Sequence, residues 1–148
     1  DYGHPQESSS SVSSSSSRPE RIAVGIATAD FDLENNLPGW KTPSFGLHGD
    51  NGAIYANSRR TKTTNGTETF GAGDVVGCGV DYVREKVFFT KNGTFLAFVD
   101  EVMDASEFVQ AKWVPTVGTD AAEVRLQVNL QGPFIFDFMS LHRGRAEF

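Results

Sequence analysis

The fold is decided by the stretch Lys86-Val87-Phe88-Phe89-Thr90-Lys91-Asn92-Gly93-Thr94-Phe95-Leu96-Ala97-Phe98-Val99. It contains two apolar runs separated by Asn92-Gly93, and Asn-Gly between apolar runs is the strongest short-range signal for a β-hairpin. Gly93 can adopt a positive φ without a steric penalty, which allows the chain to reverse direction. The stretch therefore predicts two antiparallel strands joined by a tight turn.

Apolar side chains at every second position predict three further strands. In Ile22 to Ala27 the large residues alternate with small ones, so one face should meet the core while another layer packs closely on the second face. The same period occurs in Val76 to Tyr82 and in Val124 to Leu130, where the intervening polar residues of the second segment should face water. Helical periodicity is weak and predicts one turn around Met103 to Phe108. The pattern indicates an all-β sandwich of two antiparallel sheets.

The composition excludes two classes of partner. A chain of 148 residues with 39% hydrophobic residues suits one domain with a buried core. The formal net charge of -6, with scattered lysines and arginines, argues against nucleic acid, which needs a concentrated basic surface. No stretch approaches the roughly 18 apolar residues of a membrane helix, so no membrane contact by this domain itself is predicted.

Cys78 is the one cysteine of the sequence, so no intramolecular disulfide can form. This favours a reducing compartment and predicts a cytoplasmic location, with the nucleus as a second one. Cys78 also lies on the predicted inward face of an apolar strand. There a thiol should have a raised pKa and act as a small hydrophobic residue.

Three regions divide the chain. Residues 1–20 form a Ser-rich flexible loop or linker, because nine serines in the ten positions Ser8 to Ser17 cannot bury enough apolar surface to offset the entropy of ordering. A phosphorylated regulatory segment is the alternative reading. Residues 21–139 form the globular domain, and residues 140–148 form a C-terminal tail.

Six stretches of the sequence, taken in their order along the chain, carry a resemblance to a known family. They are Leu37 to Trp40, Ser44 to Gly52, Gly73 to Val80, Val87 to Gly93, Val114 to Gly118, and Val128 to Leu130 with Pro133 to Asp137. Together they resemble the SPRY domain, most closely that of the Ran-binding-protein-type scaffolds of ubiquitin-ligase complexes. The resemblance covers about residues 22 to 138, which makes it far more specific than any single motif.

The resemblance implies a concanavalin-like bent sandwich whose loops bind a short peptide segment of partner proteins. It also implies a role as a scaffold, adaptor or substrate receptor. The sequence departs from the family pattern in two places. The opening strands that usually precede Val24-Gly25-Ile26-Ala27 are absent, and a Thr-rich loop stands at Lys62 to Glu68 where a Pro-containing one is usual.

Five residues are predicted to bind the partner. Tyr55 matches a position that contacts peptides in related SPRY domains, and Thr119 and Asp120 stand in the matching loop of a neighbouring segment. A tyrosine contributes a large contact area at low entropic cost. Lys41 and Arg59 are predicted rim charges that tune encounter more than affinity.

The sequence predicts no catalytic residue, no cofactor and no metal site. Asp50-Asn51-Gly52 suits a calcium loop in its first residues, but the remaining oxygen ligands are missing and a plain turn is preferred. His48 has no partner for a nucleophilic triad and is interpreted as a turn residue or a polar contact. Trp40 is interpreted as a core residue in preference to a surface anchor. We therefore predict that the chain is not an enzyme.

Two alternatives to a ubiquitin-ligase scaffold remain open. The first is the SPRY domain of a membrane-tethered adaptor that recruits a ubiquitin ligase to endosomal cargo. The second is a carbohydrate-binding lectin, because concanavalin-like architecture also carries sugar sites.

Overall fold

The computed structural model describes residues 21–61, 69–99 and 104–142. The predictions for the Ser-rich segment 1–20, for the loop 62–68, for Met103 and for tail residues 143–148 lie outside these ranges. The strands are β1 (Ile22–Thr28), β2 (Ser44–His48), β3 (Ile54–Ala56), β4 (Arg59–Arg60), β5 (Val76–Asp81), β6 (Lys86–Lys91), β7 (Thr94–Phe98) and β8 (Trp113–Thr119). Helix α1 spans Ala105–Gln110, and a 3-10 helix spans Phe138–His142.

The strands form two antiparallel sheets, which confirms the predicted all-β sandwich. A five-stranded sheet has the order β4-β3-β2-β1-β8, and a three-stranded sheet has the order β5-β6-β7. Strand β8 closes the larger sheet by pairing with β1 along its whole length, from Ile22 opposite Thr119 to Thr28 opposite Trp113. The first and last strands of the described domain therefore lie side by side.

The predicted hairpin is confirmed as β6 and β7. Asn92 and Gly93 have φ values of 50° and 81°, and two positive φ values are what a type I′ turn requires. The Asn92 side chain also accepts a hydrogen bond from the Val75 amide (2.8 Å) and donates one to Asp74 Oδ1 (3.0 Å). The turn residue thus joins the hairpin to the start of β5.

The core lies between the two sheets. Phe89 and Ala56 are fully buried, Leu47 and Val87 are 1% exposed, and Trp113 packs edge-on against Phe45 with ring centroids 5.4 Å apart. These side chains come from both sheets, so they hold the layers together. The cluster comprises Ile26, Phe45, Leu47, Ile54, Ala56, Phe70, Val87, Phe89, Ala97, Val99 and Phe108.

Truncation of Phe89 should show how strongly the core stabilises the fold. We expect Phe89→Ala to lower the free energy of unfolding by about 3–5 kcal/mol, because it removes a fully buried ring and leaves a cavity. Phe134→Ala is the matched control: its ring is 60% exposed, and its loss should change stability by less than about 0.5 kcal/mol. Urea unfolding followed by tryptophan fluorescence measures both, and equal losses would contradict this core.

The outer face of the larger sheet carries a second layer, as the small residues of β1 predicted. Ala23 and Ala27 are buried there. Segment 37–39 packs so closely on this face that a Cβ on Gly46 would lie 2.1 Å from the Pro38 carbonyl oxygen. A Cβ on Gly118 would lie 2.7 Å from the Leu37 side chain. Glycines at these positions therefore permit the contact.

The strand predicted over Val124 to Leu130 was wrong. Residues 121–137 run without helix or strand, and Val128 and Leu130 are 60% and 65% exposed. The alternation is retained at the start, where Val124 and Leu126 are half-buried while Arg125 is exposed. A strand also requires a neighbour with which to exchange hydrogen bonds, and no described strand pairs with this segment.

The predicted helical turn is a short helix, displaced toward the C-terminus. Helix α1 begins after Asp104, whose carboxylate accepts hydrogen bonds from the amides of Ser106 (2.9 Å) and Glu107 (3.3 Å). This N-cap satisfies amide groups that have no partner within the helix. Phe108 anchors the helix in the core, where it is 2% exposed.

Candidate functional site

Three aromatic rings lie in a row, tilted against one another, on the outer side of the larger sheet. The His48 ring lies 4.4 Å from the Tyr55 ring and 5.6 Å from the Trp40 ring, measured between centroids. His48 is 1% exposed, whereas Trp40 and Tyr55 are half-buried. A buried ring therefore supports two rings that each present part of their surface to solvent.

His48 is fixed in one orientation. Its Nε2 lies 2.9 Å from the Pro38 carbonyl oxygen, and because a carbonyl can only accept, Nε2 carries the proton and donates. Burial lowers the pKa of His48, and the Pro38 bond and the negative charge of Asp50 offset this only in part, while Arg21 lowers it further. The imidazole is therefore neutral at pH 7.

An ion pair lies at the other side of Trp40. The Arg21 amide and its Nε each donate to a carboxylate oxygen of Asp120 at 2.7 Å, and the Asp120 amide donates to the Arg21 carbonyl oxygen at 3.1 Å. The Arg21 guanidinium lies over the Trp40 ring, 5.1 Å from its centroid, in the geometry of a cation–π contact. We call the set Arg21, Trp40, His48, Tyr55 and Asp120 the aromatic surface.

Two of the five residues predicted to bind a partner, Tyr55 and Asp120, lie within the aromatic surface. Thr119 is exposed at the end of β8, and its hydroxyl accepts from the Ala121 amide at 2.9 Å. Lys41 is exposed immediately after Trp40. Arg59 is exposed in β4 opposite Ala56, while its neighbour Arg60 stands opposite Tyr55. The register therefore places Arg60, and not Arg59, on the face of Tyr55.

Sequence reasoning did not assign three members of the aromatic surface to the site. Trp40 was interpreted as a core residue, yet it is half-buried at the surface. For His48 the sequence indicates a turn residue or a polar contact, and for Arg21 it carries no signal of a site. Their contacts depend on how segment 37–40 folds across the sheet, which no local pattern encodes. The Pro-Gly pair before Trp40 is the one local signal of that turn.

The position of segment 37–40 depends on Gly46. We expect Gly46→Ala to destabilise the protein by about 1–3 kcal/mol, because the new methyl group would overlap the Pro38 carbonyl and displace the segment. Gly71→Ala is the matched control, since a Cβ there meets nothing within 4 Å. Thermal unfolding and tryptophan emission measure the effect. Equal behaviour of the two variants would show that the close contact does not position the loop.

The charge state of His48 should make stability depend on pH. The unfolded histidine has a pKa of about 6.5, and burial makes the folded value lower. The unfolded chain therefore binds more protons as the pH falls below about 6.5, and the free energy of unfolding falls with it. One proton contributes a slope of at most about 1.4 kcal/mol per pH unit. Urea unfolding between pH 7.5 and 5.5 measures this slope, and His48→Gln should reduce it. An unchanged slope in His48→Gln would exclude His48 as its source.

Burial raises the pKa of the Cys78 thiol, as expected for a residue on an inward face. Within residues 21–61, 69–99 and 104–142, no three His, Cys, Asp or Glu side chains come together as a metal site would require. Over the same ranges, the helices are too short and too polar to cross a bilayer.

Comparison with known proteins identifies the class. The family model of the SPRY domain matches residues 11–132. A crystal structure of a human SPRY domain superimposes with a TM-score of 0.50 at 25% sequence identity, over 76% of this chain and 76% of that one. The chain therefore belongs to the SPRY domain family, whose members are protein-interaction modules.

The relatives are Ran-binding proteins. The chain is 36% identical over 117 residues to the Ran-binding proteins 9/10 homolog of Drosophila melanogaster, and 33% identical over 126 residues to Ran-binding protein 9 of Homo sapiens. It is 30% identical over 118 residues to the Ran-binding protein M homolog of Arabidopsis thaliana. These matches cover 78%, 83% and 79% of this chain, but 11%, 16% and 23% of the relatives.

Proposed function

We propose that this SPRY domain binds a short peptide segment of partner proteins on the aromatic surface. The half-exposed rings of Trp40 and Tyr55, held by the buried His48 between them, are the observation that carries the proposal. Tryptophan, tyrosine and arginine are the residues most enriched among those that dominate binding energy. All three occur together here, beside one carboxylate.

The surface is held in place before a partner arrives. His48 is hydrogen-bonded and buried, and Arg21 is bonded to Asp120 at two points. Side chains that are already ordered lose less entropy on binding, which leaves more of the contact energy as affinity. The exposed ion pair itself contributes little stability, so its main effect is to position Arg21 and Asp120.

Basic side chains lie next to the aromatic surface. Lys41 follows Trp40, and Arg59 and Arg60 form the edge strand β4 next to Tyr55. Rim charges of this kind mostly change the rate of encounter and its salt dependence. We propose that a bound segment places an apolar residue against Trp40 and Tyr55 and directs acidic groups toward Lys41 and Arg60.

We propose that the parent protein acts as a ubiquitin-ligase scaffold or substrate receptor. The similarity to Ran-binding proteins favours this reading over the membrane-tethered adaptor. In the relatives most of the polypeptide lies outside the matched region, so catalytic and assembly functions would belong to other domains. We propose a cytoplasmic location, with the nucleus as a second one, which agrees with a sequence that has a single cysteine.

Truncation of the aromatic surface tests the proposal. We expect the double variant Tyr55→Ala and Asp120→Ala to lower partner affinity at least about 30-fold, because such central residues contribute about 2 kcal/mol or more. Proteins that co-purify with the tagged domain, quantified by mass spectrometry, are the measurement, and titration of the strongest partner gives the affinity.

A double variant outside the aromatic surface serves as the control. Tyr82→Ala and Glu123→Ala remove one tyrosine and one carboxylate from exposed positions outside the aromatic surface. This variant should keep its partners. If a folded Tyr55→Ala and Asp120→Ala double variant recovers the same partners at the same level, binding does not use the aromatic surface. Binding to a glycan array that survives Tyr55→Ala would support the lectin alternative.

A further inference from the structure

The turn between β6 and β7 contains an Asn-Gly pair, a sequence in which asparagine readily loses its side-chain amide. The backbone nitrogen of the following residue can attack the side-chain carbonyl carbon, and a glycine leaves that nitrogen sterically open. The sequence contains three such pairs: Asn51-Gly52, Asn65-Gly66 and Asn92-Gly93. The second pair lies outside the described residues, so the structure allows a comparison of the first with the third.

The fold protects the pair Asn51-Gly52. The Gly52 amide donates a hydrogen bond to the His48 carbonyl oxygen at 2.8 Å, and Gly52 is buried. Because the reaction begins with removal of the proton from this amide, a base from the solvent must first break that hydrogen bond and reach the nitrogen. The Asn51 side chain is also held, since its Oδ1 accepts from the Ala53 amide at 2.9 Å.

The pair Asn92-Gly93 has the opposite environment. Asn92 is exposed, and Gly93 is half-buried. Among the described residues, no group accepts a hydrogen bond from the Gly93 amide. The Val75 amide donates to Asn92 Oδ1 at 2.8 Å. A donor at this oxygen draws electrons from the carbonyl carbon and stabilises the negative charge that develops on attack. Both reacting groups are therefore available in the folded protein.

We propose that Asn92 is a site of deamidation in the folded protein, and that its conversion to an acid weakens the attachment of the β6–β7 turn to the start of β5. Base removes the proton of the Gly93 amide, the nitrogen forms a bond to Asn92 Cγ, and the bond between Cγ and Nδ2 breaks as the nitrogen takes up a proton and leaves as ammonia. Water then opens the succinimide at either carbonyl carbon, which gives aspartate or isoaspartate. The net reaction consumes water and releases ammonia.

The product cannot keep the contact that Asn92 makes with Asp74. Asn92 Nδ2 donates to Asp74 Oδ1 at 3.0 Å, whereas an ionised carboxylate in its place has only acceptors. Burial alone would raise the pKa of Asp74, but the hydrogen bonds from Asn92 and from the Gly71 amide lower it, and so does the charge of Lys91. Asp74 is therefore ionised at pH 7 and would repel the new charge.

An isoaspartate would have a second effect on the turn. Its backbone runs through the former side chain and is therefore longer than that of an ordinary residue. Asn92 and Gly93 form a two-residue connection between Lys91 and Thr94, which are paired across the hairpin. A longer connection would disturb this pairing, so both products loosen the turn.

The rate of deamidation can be followed at each site of the unaltered chain. We expect Asn92 to react at least about fivefold faster than Asn51 at mildly alkaline pH, because freeing the Gly52 amide costs one hydrogen bond. Trypsin separates the two sites, since Arg59 and Lys91 lie between them, and mass spectrometry quantifies each product. In urea the two sites should react at similar rates. A protein isoaspartyl methyltransferase should label the aged folded chain but not the fresh one.

An exchange of acid and amide tests the structural consequence. Asn92→Asp should lower the midpoint of thermal unfolding by about 3–6 °C, since it removes a hydrogen bond and adds repulsion between like charges. The double variant Asn92→Asp and Asp74→Asn should recover the midpoint. In it the new amide can donate to the new carboxylate, while its oxygen still accepts from the Gly71 amide.

Asn57→Asp is the matched control for the single variant. Asn57 has the same φ as Asn92, 50°, and its Oδ1 accepts a hydrogen bond from the Ser44 amide at 3.0 Å. An aspartate would keep that bond, so the midpoint should change by less than about 2 °C. If Asn92→Asp does not fold, recovery of the fold in the double variant supplies the same evidence.

Three results would overturn the proposal. Equal rates at Asn92 and Asn51 in the folded chain would show that the fold does not select Asn92. Equal midpoints for Asn92→Asp and Asn57→Asp would show that the acid leaves the turn attached. A double variant no more stable than Asn92→Asp would exclude Asp74 as the repelling group. None of these residues belongs to the aromatic surface, so the outcome is independent of the proposed function.

Discussion

The close approach of segment 37–39 to the outer face of β2 is the constraint from which the candidate site follows. Gly46 has no Cβ, so the Pro38 carbonyl can lie against the strand and accept the hydrogen bond of His48. That bond holds the buried imidazole between Trp40 and Tyr55. Gly39 contributes to the same contact: it has a φ of 95°, and a Cβ there would overlap Tyr55. The close backbone contact of segment 37–39 therefore also sets the positions of the three rings.

The sequence predicted those parts of the fold that depend on local patterns. The β6–β7 hairpin was predictable because Asn92 and Gly93 adopt positive φ readily, and the second layer on β1 because its alternate residues are small. The Val124 to Leu130 segment was mispredicted for a physical reason. Alternation indicates which side chains can be buried on one face, but a strand also needs a hydrogen-bonding neighbour, which lies elsewhere in sequence.

The candidate site was predictable only in part for a related reason. Tyr55, Thr119 and Asp120 came from a resemblance that aligns positions along the chain. Arg21 joins them through a contact across 99 residues of sequence, which no local window contains. Trp40 and His48 join them through contacts across 7 and 8 residues that depend on how the chain folds back across the sheet. The placement of Arg60 opposite Tyr55, in preference to Arg59, depends on the register of a two-residue strand. Such a register cannot be deduced from side-chain pattern alone.

The Arg21–Asp120 ion pair also affects how this sheet would respond to a pulling force. Arg21 immediately precedes β1, and Asp120 immediately follows β8. Their three hydrogen bonds therefore join the start of β1 to the end of β8. A pulling force applied through residue 20 would act on these three hydrogen bonds before it reaches the hydrogen bonds between β1 and β8. Since Arg21 also covers Trp40, a pull on the preceding polypeptide would first disturb the indole, leaving the core of the sandwich intact.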